Sequence, residues 1–312
     1  FEAGFGTVTG SYTLPRDLTI DWDECLYLPE GTALTAGEGT ALTLEGWLVE
    51  DAGGSRGTLA GDVRGQERWL SRCDGAVRLS VEKDAAGDGY TWTAAERLLK
   101  LTGGWCYMGD FSLPGGSTLE AEGQSVVFGT DYAALEFQGD GALRGNGGLL
   151  ARGVYYGVNV SGNLILSGSM ERQASGGDDG IYVTQTLTLR DRAALTARGR
   201  RGYGLCLAER LIREDRASLR AESPSIAVIA WGGSGEDLAS DEIFVLGRAN
   251  LHGAAAGEYK DLYDSRFHTF FPAGEQQDAY GANACKSVNI TARAEDDWEE
   301  TGAAHGRIAV TI

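Results

Sequence analysis

Between Gly157 and Ala221 three short apolar patterns recur in fixed order at steps of 23 or 24 residues. The first is GVNV at 157–160, GIYV at 180–183 and GLCL at 204–207. Behind it come LIL (164–166), LTL (187–189) and LIR (211–213), then ALTA (194–197) and SLRA (218–221). Each pattern is four residues or fewer, with apolar side chains two apart, as in Ile181 and Val183 or Leu187 and Leu189. That period of two puts them on one face of a strand. No ten-residue helical pattern separates them, so leucine-rich and helical repeats fit poorly. The fold class this predicts is all-β: a parallel β-helix of three strands per coil. The crossover rule makes it right-handed.

Stacking coils at about 4.8 Å aligns Val158, Ile181, Leu205 and Val228 in one interior ladder, with Leu195, Leu219 and Leu251 in another. Glycines before the first strand (Gly157, Gly180, Gly204) suit corners needing positive φ or close backbone approach. Arg213 breaks the pattern, standing where Leu189 and Val245 stand. It implies a strand ending early or a buried carboxylate partner.

Composition agrees with a repeat array. Glycine supplies 47 of 312 residues and proline only 5, which excludes collagen and proline-rich disorder. Hydrophobic residues at 42% suffice for one continuous core, so residues 1–312 read as a single β-helix domain. The net charge of −18 excludes a sequence-independent nucleic-acid binder, and no apolar run approaches the roughly 18 residues of a membrane span. Five widely spaced cysteines (Cys25, Cys73, Cys106, Cys206, Cys285) form neither a disulfide framework nor a zinc motif. The chain starts at Phe1 with no signal-peptide pattern, so an extracellular or cell-surface location is inferred from architecture alone.

Along the chain, residues 1–17 read as an N-terminal cap, and LTI (18–20) and LTL (42–44) as the first repeat. Register blurs between 46 and 105, with loops at 53–57 and 85–89. It returns with FSL (111–113) and LEF (135–137), whose following strands sit at Leu119 and Leu143. The step from LEF to LIL is 29, implying a five-residue bulge near 149–156. Two longer departures follow: a corner insertion at 231–242, and an aromatic-rich insertion at 252–287. In the latter YKDLYDSRFHTFF (259–271) has helical spacing, so a lateral helix or flap is expected. VNI (288–290) and the end of the chain read as closing strands.

Functional surfaces on such a fold are outward columns of adjacent coils. The first strand presents Asn159, Tyr182, Cys206 and Ile229, which is no catalytic set. The third presents Glu120, Glu122, Arg144, Asn146, Thr196, Arg198, Arg220 and Glu222. These form either a solvated face or a groove for charged sugars, arginine binding carboxylates in bidentate fashion. The tryptophans Trp22, Trp47, Trp69 and Trp92 step by 25, 22 and 23, but their phase against the strands does not make a ladder, and packing is the better reading.

The sharpest local motif is Gly176-Gly177-Asp178-Asp179-Gly180. β-Helical polysaccharide hydrolases use paired aspartates as acid and base. The partner aspartate and histidine expected one coil away are missing. A lyase would need a base such as Arg200 or Arg201 with calcium at Asp178.

The run GGDDGIYVTQTLTLRDRAALTARG (176–199) resembles the repeat of bacterial cell-surface β-helices described as carbohydrate-binding domains, including clostridial proteins that bind acidic plant polysaccharides. The resemblance covers about 65 residues, 157–221. It implies a non-catalytic glycan-binding or surface adhesion module, and calcium held by Asp178 and Asp179. On this reading no cofactor is required, calcium being the one the resemblance admits. The candidate ligand-binding residues are Asp178, Asp179, Tyr156, Arg198, Arg200, Arg201 and Arg220, with a polysaccharide as partner. The alternatives are a polysaccharide lyase or glycoside hydrolase, and a structural spacer in a larger surface protein.

Overall fold

The computed structural model of the chain describes residues 4–208, together with strand segments at 211–213, 217–222, 226–230, 248–252, 263–264, 269–270 and 287–291. Among the described residues every regular element is a strand, and the strands wind a parallel β-solenoid of about nine turns. Three sheets run along it, of twelve, nine and eight strands. The repeat at 157–221 maps onto them in sequence order. Val158, Ile181, Leu205 and Val228 align residue against residue in the nine-stranded sheet. Leu164 and Leu187 do so in the eight-stranded sheet, and Leu195 and Leu219 in the twelve-stranded one. The corner glycines serve close approach. A Cβ on Gly157 would stand 2.6 Å from the Gly180 oxygen, and one on Gly180 would stand 2.6 Å from the Arg198 nitrogen.

The solenoid is folded back on itself. Residues 4–65 form a short first block with its own core of Ile20, Leu26, Leu28, Leu34, Leu42, Leu44 and Leu48. Its strands Phe5–Thr7, Cys25–Tyr27 and Trp47–Glu50 begin the twelve-stranded sheet. The strand Trp69–Asp74 then acts as a hinge: residues 69–71 pair with Leu48–Glu50, and residues 71–74 pair with Trp105–Met108. Beyond it runs the long second block, built around the larger core.

The first block packs against the outer face of that long sheet. Cys25, Trp47 and Val49 bury with Cys106, Val126, Phe128 and Leu150, and Phe5 meets Phe128 edge-on at 5.3 Å. Strands at this contact are apolar on both sides, since Val127 points into the second core while Val126 and Phe128 point at the first block. Each aliphatic or aromatic side chain so buried contributes about 1.5–3 kcal/mol.

Sheet ends need partners for their edges. Ala85–Gly87 and Tyr90–Thr93 form an antiparallel hairpin that covers Leu98–Leu101, so the expected loop at 85–89 is its strand and turn. At the other end Ser287–Thr291 pairs antiparallel with Ser218–Glu222, and Arg248–His252 lies beyond it as the outermost strand, so 288–290 is not itself the closing strand. The segment 1–17 contributes Phe5–Thr7 and Ser11–Leu14, the outermost strands of two sheets.

Several expectations are corrected. Leu251 does not stack on Leu219, because the strand Ser287–Thr291 inserts between them. Where a helix is predicted over 259–271, the described residues form strands at Tyr263–Asp264 and Thr269–Phe270, the latter pairing with Ile229 on an open sheet edge. That edge offers backbone hydrogen bonds that a lateral helix would leave unused. Apart from these two strands and its end residues His252 and Ser287, which belong to strands themselves, the rest of that insertion and all of 231–242 lie outside the described residues.

LEF and LIL belong to different sheets: Leu135 pairs with Val158, and Leu164 with Gly141. The supposed bulge at 149–156 therefore vanishes into the regular strand Gly148–Gly153. For the same reason the outward column drawn through Glu120, Arg144 and Arg198 splits in two. Glu120 and Arg144 pair at 2.8 Å on the eight-stranded sheet, whereas Thr196, Arg198, Arg220 and Glu222 lie on the twelve-stranded one.

Arg213 does pair opposite Leu189 along the backbone, but its side chain lies outside the described residues. The arginine within the core is Arg172, aligned between Leu149 and Leu195. It is 2% exposed, and its guanidinium donates to the carbonyls of Met170, Leu143 and Ser167. Burial lowers its pKa to about 10, which leaves it charged at neutral pH.

Candidate functional site

Of the seven ligand residues singled out by sequence, all but Arg220 fall into two places. The first is the polar end of the contact between the blocks. Along the outer face of the twelve-stranded sheet, Met108, Phe128, Arg152, Ser175 and Arg198 stand in register on successive strands. The column is apolar where it meets Phe5, and turns basic where it meets the turn Asp21-Trp22-Asp23-Glu24. Asp23 is fully buried. It takes Arg152 at 2.8 Å, the Ser175 hydroxyl at 2.5 Å, Arg198 at 3.1 Å and Arg200 at 3.0 Å.

Around it Asp21 pairs with Arg198 at 2.5 Å, Glu24 faces Arg200 at 3.8 Å, and Arg198 lies over Trp22. Three positive groups meet three negative ones. Burial alone would raise the Asp23 pKa, but Arg152, the Ser175 hydroxyl, Arg200 and Arg198 together hold it below the ordinary carboxylate value. Glycine is needed on both sides of this cluster. A Cβ on Gly4 would overlap the Arg152 guanidinium at 2.0 Å, and one on Gly46 would overlap the Asp21 oxygen at 2.2 Å. Arg198 and Arg200 therefore hold the two blocks together. Arg220, next to Thr196 on the same sheet, is exposed.

The second place is the corner between the twelve- and nine-stranded sheets. Here Tyr132, Tyr155, Asp178 and the Arg201-Gly202 turn occupy the same position on four consecutive turns. The amide of Tyr155 donates to the Tyr132 carbonyl, that of Asp178 to Tyr155, and that of Gly202 to Asp178. At about 4.8 Å per turn the column is roughly 14 Å long. Its side chains face solvent, Tyr132 being 43% and Tyr155 42% exposed. Arg201 reaches back to the Asp178 carboxylate at 3.1 Å and to the Gly177 carbonyl at 3.1 Å. The Asp110 carboxylate accepts the amides of Thr130 and Tyr132, fixing the turn that presents the first ring.

Behind this column lie Tyr156 and Asp179, paired across adjacent strands. Tyr156 packs its ring 5.2 Å from Tyr132 and 5.5 Å from Tyr182, so four tyrosines form one continuous surface. Asp179 is 7% exposed and accepts the Tyr203 amide at 2.7 Å. Burial raises its pKa to about 6, with the Tyr203 hydrogen bond opposing and the charge of Asp178 adding.

Both carboxylates are thus engaged, Asp178 by a cation and Asp179 by a backbone amide. Among the described residues no group of three or more His, Cys, Asp or Glu could hold a metal, whereas calcium takes six to eight oxygens. The geometry offers stacking faces, one ion pair and hydrogen-bonding groups along an edge.

Of the predicted ligand residues, the corner gathers Tyr156, Asp178, Asp179 and Arg201. Tyr132 and Tyr155 are not among them, and Tyr182 enters the sequence reading only in the outward column of the first strand. The signal for the first two was in the register, because Tyr132 precedes Leu135 by the same three residues as Tyr155 precedes Val158. No protein-family model, curated protein or solved structure matches the chain. Among the described residues no helix is long and apolar enough to cross a membrane.

Proposed function

We propose that the chain is a non-catalytic glycan-binding module of an extracellular or cell-surface protein, and that the ligand lies along the corner column. The observation that carries this reading is the exposed run of Tyr132, Tyr155, Asp178 and Arg201 on consecutive turns. Flat aromatic faces cover the apolar faces of sugar rings, and hydroxyl, carboxylate and guanidinium groups beside them answer sugar hydroxyls. A rigid parallel corner matches a repeating ligand, since both present the same group at regular intervals. Arg201 is the cation of the column and favours a sugar carboxylate at that end, in keeping with an acidic polysaccharide.

The test is a glycan array probed with calcium and with a chelator, followed by titration of the best ligand against Tyr132→Ala and Tyr155→Ala. Each variant should weaken binding by about 2- to 10-fold, as expected for one lost aromatic stacking contact. If no glycan is retained, or if both variants bind as the parent does, the assignment fails. The second reading, a structural spacer, draws on Arg198 and Arg200 being committed to the contact between blocks. It predicts an empty array.

A further inference from the structure

Two thiols meet at the contact between the blocks. Cys25 lies in the first-block strand Cys25–Tyr27, and Cys106 in the second-block strand Trp105–Met108. Both are fully buried in the cluster that includes Trp47, Val126 and Phe128. Both are free and share that one buried cluster, where the Cys106 side chain bears on Cys25 and raises its pKa, while the Cys106 thiol donates to the Met108 sulfur at 3.9 Å. They are 81 residues apart in sequence, and only the folding-back at Trp69–Asp74 brings them together. Cys73 is only half-buried and lies in the hinge strand itself.

We propose that Cys25 and Cys106 are a site of disulfide formation that staples the first block to the second. In the step, each thiol gives up its proton and the two sulfurs join. The two electrons pass to a small-molecule disulfide of the glutathione type, which is cleaved to two thiols. The neighbouring Cys106 side chain and burial both raise the pKa of Cys25, so thiolate is scarce while the blocks stay docked. Exchange therefore runs through molecules in which the blocks have briefly parted, and the product closes a long loop, the kind of cross-link that most restricts the unfolded chain.

The experiment treats the intact protein with oxidised glutathione at neutral pH, alkylates the remaining thiols and digests with trypsin without reduction. Cys25 leaves in the peptide 17–56 and Cys106 in the peptide 101–144, while Cys73 leaves in the separate peptide 73–78. The expected product is the 17–56/101–144 pair, lost on reduction. It should be accompanied by a rise of several degrees in the thermal midpoint, absent in Cys25→Ser and Cys106→Ser. Because a serine variant can itself disturb packing, the peptide map of the unmodified protein is decisive. Recovery of Cys25 and Cys106 only as alkylated thiols, only as glutathione adducts, or linked to Cys73 would overturn the proposal.

Discussion

Asp23 and Asp179 show how burial is resolved in opposite ways by what surrounds a carboxylate. Asp23 has three guanidinium groups and a hydroxyl within hydrogen-bonding distance, and its folded-state pKa is depressed. Its contribution to stability is present above the unfolded value of about 3.9 and is lost as pH falls through the lower folded value. Asp23→Asn leaves three arginines facing two acids, two of those arginines at least half-buried. It should cost about 3–5 kcal/mol in urea unfolding at pH 7.

Asp179 has one backbone amide, and its pKa rises to about 6. Its contribution is full below the unfolded value and disappears as pH rises through about 6. Ionisation therefore removes at most about 3 kcal/mol over this roughly two-unit window. Asparagine keeps the acceptor for the Tyr203 amide and carries no charge. Asp179→Asn should accordingly flatten the change in urea midpoint between pH 4.5 and 7.5 that the parent shows. An identical pH slope in both proteins would disprove the assignment.

For the elements, the 23- to 24-residue step was legible because each rung keeps the same three apolar pairs, and the ladder through Val158, Ile181, Leu205 and Val228 follows directly from it. The step alone does not say to which sheet a triplet belongs. FSL, LEF and LIL look alike as strings, yet the first two line the nine-stranded sheet and the third the eight-stranded one. Phase has to be read from all three strands of a rung together, because only that sets Tyr132 and Tyr155 at the same corner of successive turns.

The hairpin at 85–93 was obscured for a different reason: its Ala-Ala-Gly-Asp-Gly run has turn composition, and its strand character comes from pairing with Trp92 and Thr91. Trp92 is 1% exposed, and its indole nitrogen donates to the Ser80 carbonyl at 2.8 Å, which pins the hairpin over the end of the core. Trp92→Ala should lose about 3–5 kcal/mol of stability. By freeing the edge at Leu98–Leu101 it should also produce soluble oligomers visible by light scattering. A monomeric variant of parent stability would show that the hairpin does not serve as a cap.

At the scale of the whole molecule, the departure from a simple rod is the docking of the first block on the flank of the second. Its sequence trace is a set of short strands apolar without alternation, QSVVF at 124–128, WLVE at 47–50 and GLLARG at 148–153, which bury both faces. Any one of them reads as ordinary core, and only the contact shows that alternate residues serve two different interiors. Charge then finishes what apolar burial begins, since Arg152, Ser175 and Arg198 continue the same outward column to Asp23.

Val126 stands at the centre of the apolar part, fully buried with Cys25, Trp47 and Leu70. An aspartate there would be an unpaired charge whose burial costs several kcal/mol, whereas parting the blocks would hydrate it. Val126→Asp should therefore open the molecule about the strand Trp69–Asp74. The radius of gyration by small-angle scattering should increase, and tryptic cleavage at Arg68 and Arg72 should become fast. Because each block keeps a core of its own, strand circular dichroism should persist while the molecule lengthens. An unchanged radius with the hinge still protected would mean that the ion cluster around Asp23 holds the blocks without help from the apolar face.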